Sequence, residues 1–360
     1  MFYHVLYPLK EIFFAFNIFR YITFRSVFAF ITSFLIIIIL GKFFIRYLKR
    51  MKVSEYVDMY GHMRLEKIYN GKQGTPTMGG LLIVFSIFIS GLLWGRLDNV
   101  FVLLSLSVLM WFGFFGFLDD YLKFKNKKGL RRLPKFAVQV TIGLAIGIAL
   151  LKFEVIEPTI YFPFFKDLVI NAGWIYIIWT ALVVSATCNS VNFTDGLDGL
   201  AIGSIVLAGF VFMIFSYIAG NVNVSEYLFF PFIEGAGELT VICSSIIGAG
   251  LGFLWFNAQP AEVFMGDIGS SSLGGLLGAV AIFTKKEVWL FIAGGLFVIE
   301  AVSVILQIGS VKLFKKKPFK AAPLHHHLQL SGWTDSKVTI RLWIIASLFA
   351  AFALATLKIR

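Results

Sequence analysis

The stretch Val100-Phe101-Val102-Leu103-Leu104-Ser105-Leu106-Ser107-Val108-Leu109-Met110-Trp111-Phe112-Gly113-Phe114-Phe115-Gly116-Phe117-Leu118, followed at once by Asp119-Asp120, decides how the rest of this 360-residue chain is read. It is an uncharged run of the length a helix needs to cross a hydrocarbon core, about 20 residues. The two carboxylates at its end are costly in such a place and need a reason. Nine more apolar runs follow the same pattern, at 24–45, 78–94, 136–151, 174–187, 200–219, 239–256, 273–283, 288–313 and 338–357. The cores at 174–187 and 273–283 are the shortest.

Composition agrees. Hydrophobic residues make up 58% and charged residues 14%, with a mean hydropathy of +0.84, against about 25% charged in an average soluble domain. The runs are continuous rather than alternating, which argues against a β-barrel. The expected fold is all-α, a polytopic integral membrane protein with ten transmembrane helices in one domain spanning 1–360. An aromatic N-terminus (Phe2, Tyr3, Tyr7, Phe13, Phe14) precedes the first run with no small-residue cleavage site, so that run reads as a retained span. Cys188 and Cys243 have no metal or redox spacing and read as small apolar fillers.

With ten spans, alternate loops share a face, and the loops expected there are 46–77, 119–135, 188–199, 257–272 and 314–337. Of the 32 Lys and Arg residues, 22 fall on that face, eight within 42–72, seven within 123–135 and seven within 312–341. Positive charge marks the cytoplasmic side, so both termini are expected to be periplasmic. The net charge of +12 then reports topology and attraction to anionic lipid of the bilayer. No groove-reading motif accompanies it, so no nucleic acid partner is expected.

The polar motifs all fall on that cytoplasmic face. Gly74-Thr75-Pro76-Thr77-Met78-Gly79-Gly80 opens the second span. Thr75-Pro76 reads as an N-cap and first-turn pair, while a helix N-terminus beside Lys72 also suits a phosphate. Asp119-Asp120 at a helix C-terminus is disfavoured unless a cation is near, and a divalent ion or Lys123 and Lys125 would supply one. Asn189-Ser190-Val191-Asn192-Phe193-Thr194-Asp195-Gly196-Leu197-Asp198-Gly199 packs amides and carboxylates into a short link. Each Asp alone is explained as a helix cap, but with Asn192 the cluster is dense in the hard oxygens that Mg²⁺ prefers. If the sixth helix starts early, Asp195 and Asp198 share a face over its N-terminus.

A second link runs through Asn257, Phe264 and Gly266-Asp267-Ile268-Gly269. Its glycines permit close approach of backbone to a ligand, and Phe264 offers a face for a base. His325-His326-His327 lies inside the chain. Consecutive imidazoles diverge, so phosphate contact fits better than a zinc site. Glu300 and Gln307 share a face of the ninth span. Glu300 reads as helix packing and Gln307, nearer the cytoplasmic end, as a ligand contact. Gly294-Gly295 allows that long span to bend.

At these residues the chain resembles the polyprenyl-phosphate N-acetylhexosamine-1-phosphate transferases. The likeness runs from Gly74-Thr75-Pro76-Thr77-Met78-Gly79-Gly80 through Asn192-Phe193-Thr194-Asp195-Gly196-Leu197-Asp198-Gly199-Leu200 and Phe264-Met265-Gly266-Asp267 to the last span. The uninterrupted His325-His326-His327 is similar to the phospho-N-acetylmuramoyl-pentapeptide-transferase branch. Departures fall at Tyr69, where a histidine is usual, and at Ser271, where an aliphatic residue is common.

The resemblance implies transfer of phospho-MurNAc-pentapeptide from UDP-MurNAc-pentapeptide to undecaprenyl phosphate, with Mg²⁺ as cofactor. It implies a site on the cytoplasmic face of the bacterial cytoplasmic membrane and a homodimer. It makes Asp119, Asp120 and Asp267 the essential acids, with Asp267 the metal ligand. Lys72, Asp195, Asp198, Phe264 and Gln307 would line the nucleotide pocket, and Lys123, Lys135, Asn192 and His326 would serve phosphates and sugar. Thr75, Asn257, His325 and His327 complete the expected substrate-binding set. A secondary transporter is the competing class, but its coupling acids would sit near the midplane with inverted repeats. The acids here gather at one face, and no repeat is visible.

Overall fold

The computed structural model describes residues 1–51, 74–165 and 168–358. After a short N-terminal helix α1 (Phe2–Leu6) and two 3₁₀ turns come α2 (Ile22–Arg50), α3 (Gly80–Trp94), α4 (Val100–Asn126), α5 (Arg132–Lys152) and α6 (Ile175–Thr194). Then follow α7 (Leu200–Ala219), α8 (Val222–Tyr227), α9 (Leu239–Asn257), α10 (Gly266–Phe283), α11 (Glu287–Ala293), α12 (Gly295–Phe314), α13 (Leu324–Leu330) and α14 (Asp335–Ala355). A small antiparallel hairpin departs from the all-α pattern: β1 (Thr159–Tyr161) pairs Ile160 with Ile170 of β2 (Val169–Asn171).

Each of the ten apolar runs holds a helix. Among the described residues nine helices are long and apolar enough to cross a membrane, and α3, at 15 residues, is a shorter apolar one. The ninth run is broken at Gly294 into α11 and α12, where the bend was expected. The core is built on α9 and α10, which other helices surround. In α10 even the small residues are buried, from Gly269 through Ser272 to Gly275. α5, α12 and α14 lie at the periphery and present Ile148, Ile305 and Leu348 outward, as lipid-facing helices do.

Two close approaches fix the site end. A methyl on Gly116 would meet Ile268 Cα at 2.6 Å and Asp267 O at 2.7 Å, so only glycine lets α4 cross α10 there. Gly79 N and Gly80 N donate to Phe264 O and Met265 O at 2.9 and 2.8 Å, and Phe264 N donates to Pro76 O at 2.8 Å. The opening motif is thus a backbone brace for the segment leading into Asp267. Thr75-Pro76 is accordingly not the helix cap expected, because α3 begins later, with Gly79 in the cap position.

Several expected loops are helix. α4 runs on past Asp119-Asp120 to Asn126, α6 continues to Thr194 and so carries Asn189 and Asn192, and α10 begins at Gly266, taking in Asp267. Polar residues at these ends lower hydropathy without breaking the helix. Conversely α7 starts only at Leu200, so Asp195 and Asp198 do not share a face over its N-terminus. The helix α13 also stands within 314–337.

The opposite end of the bundle is tied by other groups. Arg25 and Glu238, both buried, form a two-pronged ion pair at 2.6 Å on each prong. Met1 donates to Leu92 O at 2.6 Å, and Lys358 to the Tyr227 hydroxyl at 2.5 Å. Both described ends of the chain therefore lie away from Asp119 and Gly80.

Candidate active site

Three carboxylates converge where α4 crosses α10. Asp119, Asp120 and Asp267 are all buried, and one oxygen from each lies within 4.8 Å of the others. Three acids so close repel one another unless cations intervene, and two do. Lys123, one turn along α4, places Nζ 2.6 Å from Asp267 Oδ2, 3.2 Å from Asp119 and 3.5 Å from Asp120. Lys135, in the first turn of α5, reaches the same Asp267 oxygen at 2.6 Å and Asp119 at 3.4 Å. The balancing charge comes from lysines beside and across from the acids, and with α4 continuing past them the helix-terminus argument does not apply.

The three acids are held differently. Asp267 Oδ1 accepts from Asn192 Nδ2 at 2.5 Å, and the same amide donates to Ser270 Oγ at 2.9 Å. Asp119 Oδ1 accepts from Leu130 N at 2.5 Å, which pins the link between α4 and α5 over the site. Asp120 directs its oxygens at backbone, accepting from Asp267 N at 3.2 Å and Ile268 N at 3.1 Å. It thereby satisfies N–H groups in the first turn of α10, which lack partners within their own helix.

The donor set fits a hard divalent cation. Asp119, Asp120 and Asp267 each offer an oxygen within 4.8 Å of the others, the oxygen ligation Mg²⁺ takes. Asp120 is the most engaged with backbone of the three.

The other expected residues fall into two groups. Asp195 caps the end of α6, and Asp198 is buried with Oδ2 accepting from Ala261 N at 3.2 Å. Both stand on the link after Asn192, outside the three-acid cluster. Asn257 is absorbed by the scaffold: its Oδ1 accepts from Gly199 N at 3.0 Å and its Nδ2 donates to Val263 O at 2.8 Å. Phe264 is half-buried beside the brace, as is Thr75. Gln307 spends its amide on the backbone of Phe319, at 3.2 and 3.1 Å. Lys72 and Tyr69 lie outside the described residues.

The histidines do not all diverge as expected: the His325 and His326 rings meet edge to face with centroids 4.2 Å apart, while His327 turns to Lys320. His325 is fully buried. His327 Nδ1 accepts from Lys320 N at 3.1 Å. His326 Nδ1 lies 2.8 Å from Gln329 Oε1, whose amide nitrogen donates to Asp335 at 2.7 Å. An amide oxygen only accepts, so His326 carries its proton on Nδ1 and Nε2 is the acceptor. Burial, and then neighbouring His325, push His326 down to about 3. It is neutral at ordinary pH.

Sequence reading missed Ser270, the Leu130 amide and the Gln329–Asp335 relay. Ser270 was within reach: it stands three residues after Asp267, on the same helix face, in a serine run inside an apolar span.

Comparison with known proteins shows the family. Residues 101–285 match glycosyl transferase family 4, and residues 72–84 match phospho-N-acetylmuramoyl-pentapeptide-transferase signature 1. The chain is 50% identical to the phospho-N-acetylmuramoyl-pentapeptide-transferase of Oleidesulfovibrio alaskensis over 363 residues, covering 100% of both chains. It is 48% identical to that of Nitratidesulfovibrio vulgaris and 47% to that of Desulforapulum autotrophicum, again over 100% of each. Identity of this order over the full length of both chains, with the signature match at 72–84, makes the chain a member of the phospho-N-acetylmuramoyl-pentapeptide-transferase family.

Proposed function

We propose that the protein transfers phospho-MurNAc-pentapeptide from UDP-MurNAc-pentapeptide to undecaprenyl phosphate, giving lipid I and UMP, the first membrane step of peptidoglycan synthesis. The observation that carries the reading is the cluster of Asp119, Asp120 and Asp267 with Lys123 and Lys135 at one end of a membrane bundle. An acceptor phosphate oxygen attacks the phosphorus bearing the sugar, the bond to the uridylate phosphate breaks, and UMP leaves. One phosphoanhydride replaces another, so the barrier is lowered by positioning and charge neutralisation.

Asp119 and Asp267 hold Mg²⁺ in this reading, and the metal supplies Lewis-acid stabilisation of pyrophosphate charge. Lys123 and Lys135 are placed to meet phosphate oxygens. Neutral His326, an acceptor at Nε2, suits a sugar hydroxyl better than a phosphate oxygen. Asp195, Asp198 and Phe264 serve the nucleotide with Lys72, and Thr75 borders them. A phosphate monoester has a second pKa of about 6, so the acceptor is already an effective nucleophile and the transfer is direct. A single turnover without acceptor that releases stoichiometric UMP would instead establish a covalent aspartyl phosphate.

An apolar groove between α6 and α11–α12, lined by Val183, Thr187, Ser190, Leu290, Phe291 and Phe297, supports a path for the polyprenyl tail. In this reading the site lies on the cytoplasmic face of the bacterial cytoplasmic membrane with both termini periplasmic, which the excess of Lys and Arg on that side supports, and the homodimer follows from the family resemblance. The deciding experiment is UMP release by purified protein with undecaprenyl phosphate, offering UDP-MurNAc-pentapeptide or UDP-N-acetylglucosamine, with Mg²⁺ or chelator. Turnover of the muramoyl substrate alone, lost to chelator, is expected. Turnover of the glucosamine substrate would move the chain's activity to the sister branch.

A further inference from the structure

Two polar side chains on one face of α12 reach the same segment. Gln307 grips the backbone of Phe319, and seven residues earlier the buried Glu300 faces His325. Its Oε2 lies 3.3 Å from His325 Nδ1 and 3.4 Å from His325 N. Sequence reading gave Glu300 to helix packing, yet no hydrogen bond to a neighbouring span is formed among the described residues, and Oε1 has no partner. A carboxylate taken out of water costs several kcal/mol unless it is paired. His325 is the group within reach: its backbone N–H donates to Oε2, while ring Nδ1, 3.3 Å away, makes no hydrogen bond.

His325 is equally buried, so it meets no ligand from the cytoplasm. It is wedged instead. Glu300 stands on one side and the His326 ring lies 4.2 Å away on another. Gly196 closes a third side, where a methyl group would collide with Nε2. Gly196 lies between Asp195 and Asp198, on the link that the proposed reaction gives to the nucleotide.

We infer that Glu300 is a positioning residue for sugar-nucleotide binding: through His325 it sets the 195–198 link against α13 and His326 without touching the substrate. This rests on the transfer reaction proposed above. The role differs from helix packing in its kinetic signature, since packing has no reason to favour one substrate.

The test is steady-state kinetics of the full-length protein in detergent, with each substrate varied in turn. Glu300→Leu is expected to raise KM for UDP-MurNAc-pentapeptide about tenfold, the lower range for groups that orient a binding residue from behind, and to leave KM for undecaprenyl phosphate unchanged. Glu300→Gln keeps an oxygen facing the His325 backbone N–H and should recover most of the loss. If Glu300→Leu does not fold, Gly196→Ala presses the same ring from the other side. It should raise the same KM, and its loss combined with that of Glu300→Gln should be less than multiplicative.

Unchanged nucleotide KM, an equal effect on both substrates, a fall in kcat alone, or multiplicative losses would each overturn the inference. UMP affinity by calorimetry, wild type against Glu300→Leu, separates this from the identity of the sugar. A weaker UMP complex with an inactive muramoyl substrate would keep Glu300's role and sink only the substrate assignment, and equal UMP affinities would remove the role.

Discussion

Asp120 differs from its two neighbours in what its oxygens do. All three lie within 3.5 Å of the Lys123 ammonium and Asp119 accepts from one backbone N–H, but Asp120 has both oxygens on backbone, those of Asp267 and Ile268. Replacing Asp120 with Asn turns one acceptor into a donor facing N–H groups, at a cost of about 1–3 kcal/mol. Asp120→Asn should therefore lower the melting temperature and the rate while half-maximal Mg²⁺ shifts less than about threefold. Asp267→Asn should cost about 10²–10³ in kcat, as loss of one preorganised electrostatic group does, and should weaken magnesium activation. Activity titrated with Mg²⁺ distinguishes the two. The acids themselves were legible from sequence because charge beside an apolar run is conspicuous. The division of labour was not, because Asp120's partners lie 147 and 148 positions away.

His326 gives a prediction in pH. Its value falls from the ordinary 6.5 to about 3 on burial beside His325. Between those values the unfolded chain binds a proton that the folded one refuses, so stability falls as pH drops from about 6.5 toward 3. His326→Gln should flatten that part of the stability–pH curve, read from thermal unfolding at successive pH values. An unaltered slope would show that His326 is not the group being desolvated.

Among the elements, the crossing of α4 over α10 carries the most consequence. Gly116→Ala sets a methyl against backbone atoms of Asp267 and Ile268, which cannot swing aside as a side chain can. Overpacking of this kind costs about 1–3 kcal/mol, and here it also displaces Asp267. Gly116→Ala should lower both melting temperature and kcat, whereas Gly309→Ala, with open space around its position, should change neither. Hydropathy found the ten apolar spans, but not the short helices α1, α8 and α13, and it set several boundaries early. At Asp119, Asn192 and Asp267 the apolar pattern ends while backbone hydrogen bonding goes on. Residues read as loop ligands are thus fixed on rigid helices, which favours precise placement.

For the whole molecule, the pair Arg25–Glu238 joins α2 to the turn before α9. Arg25→Met would leave Glu238 buried and uncompensated, at about 3–5 kcal/mol. A large drop in melting temperature with both KM values unchanged is expected, because the pair lies at the end away from Asp119. The described ends of the chain stand at the end of the bundle opposite the acids. Sequence reading missed this pair because nothing along the chain links Arg25 to a carboxylate 213 residues later.

Lys123 and Lys135 share one oxygen of Asp267. That oxygen is never bare, so a cation bound as proposed would take it only as an ammonium group let go, as in an ion exchanger. The released ammonium would then stand without its anion where the proposed reaction brings a pyrophosphate. Taking up metal and making ready for phosphate would be one exchange of counter-ions, in which each charge moves only to a better partner.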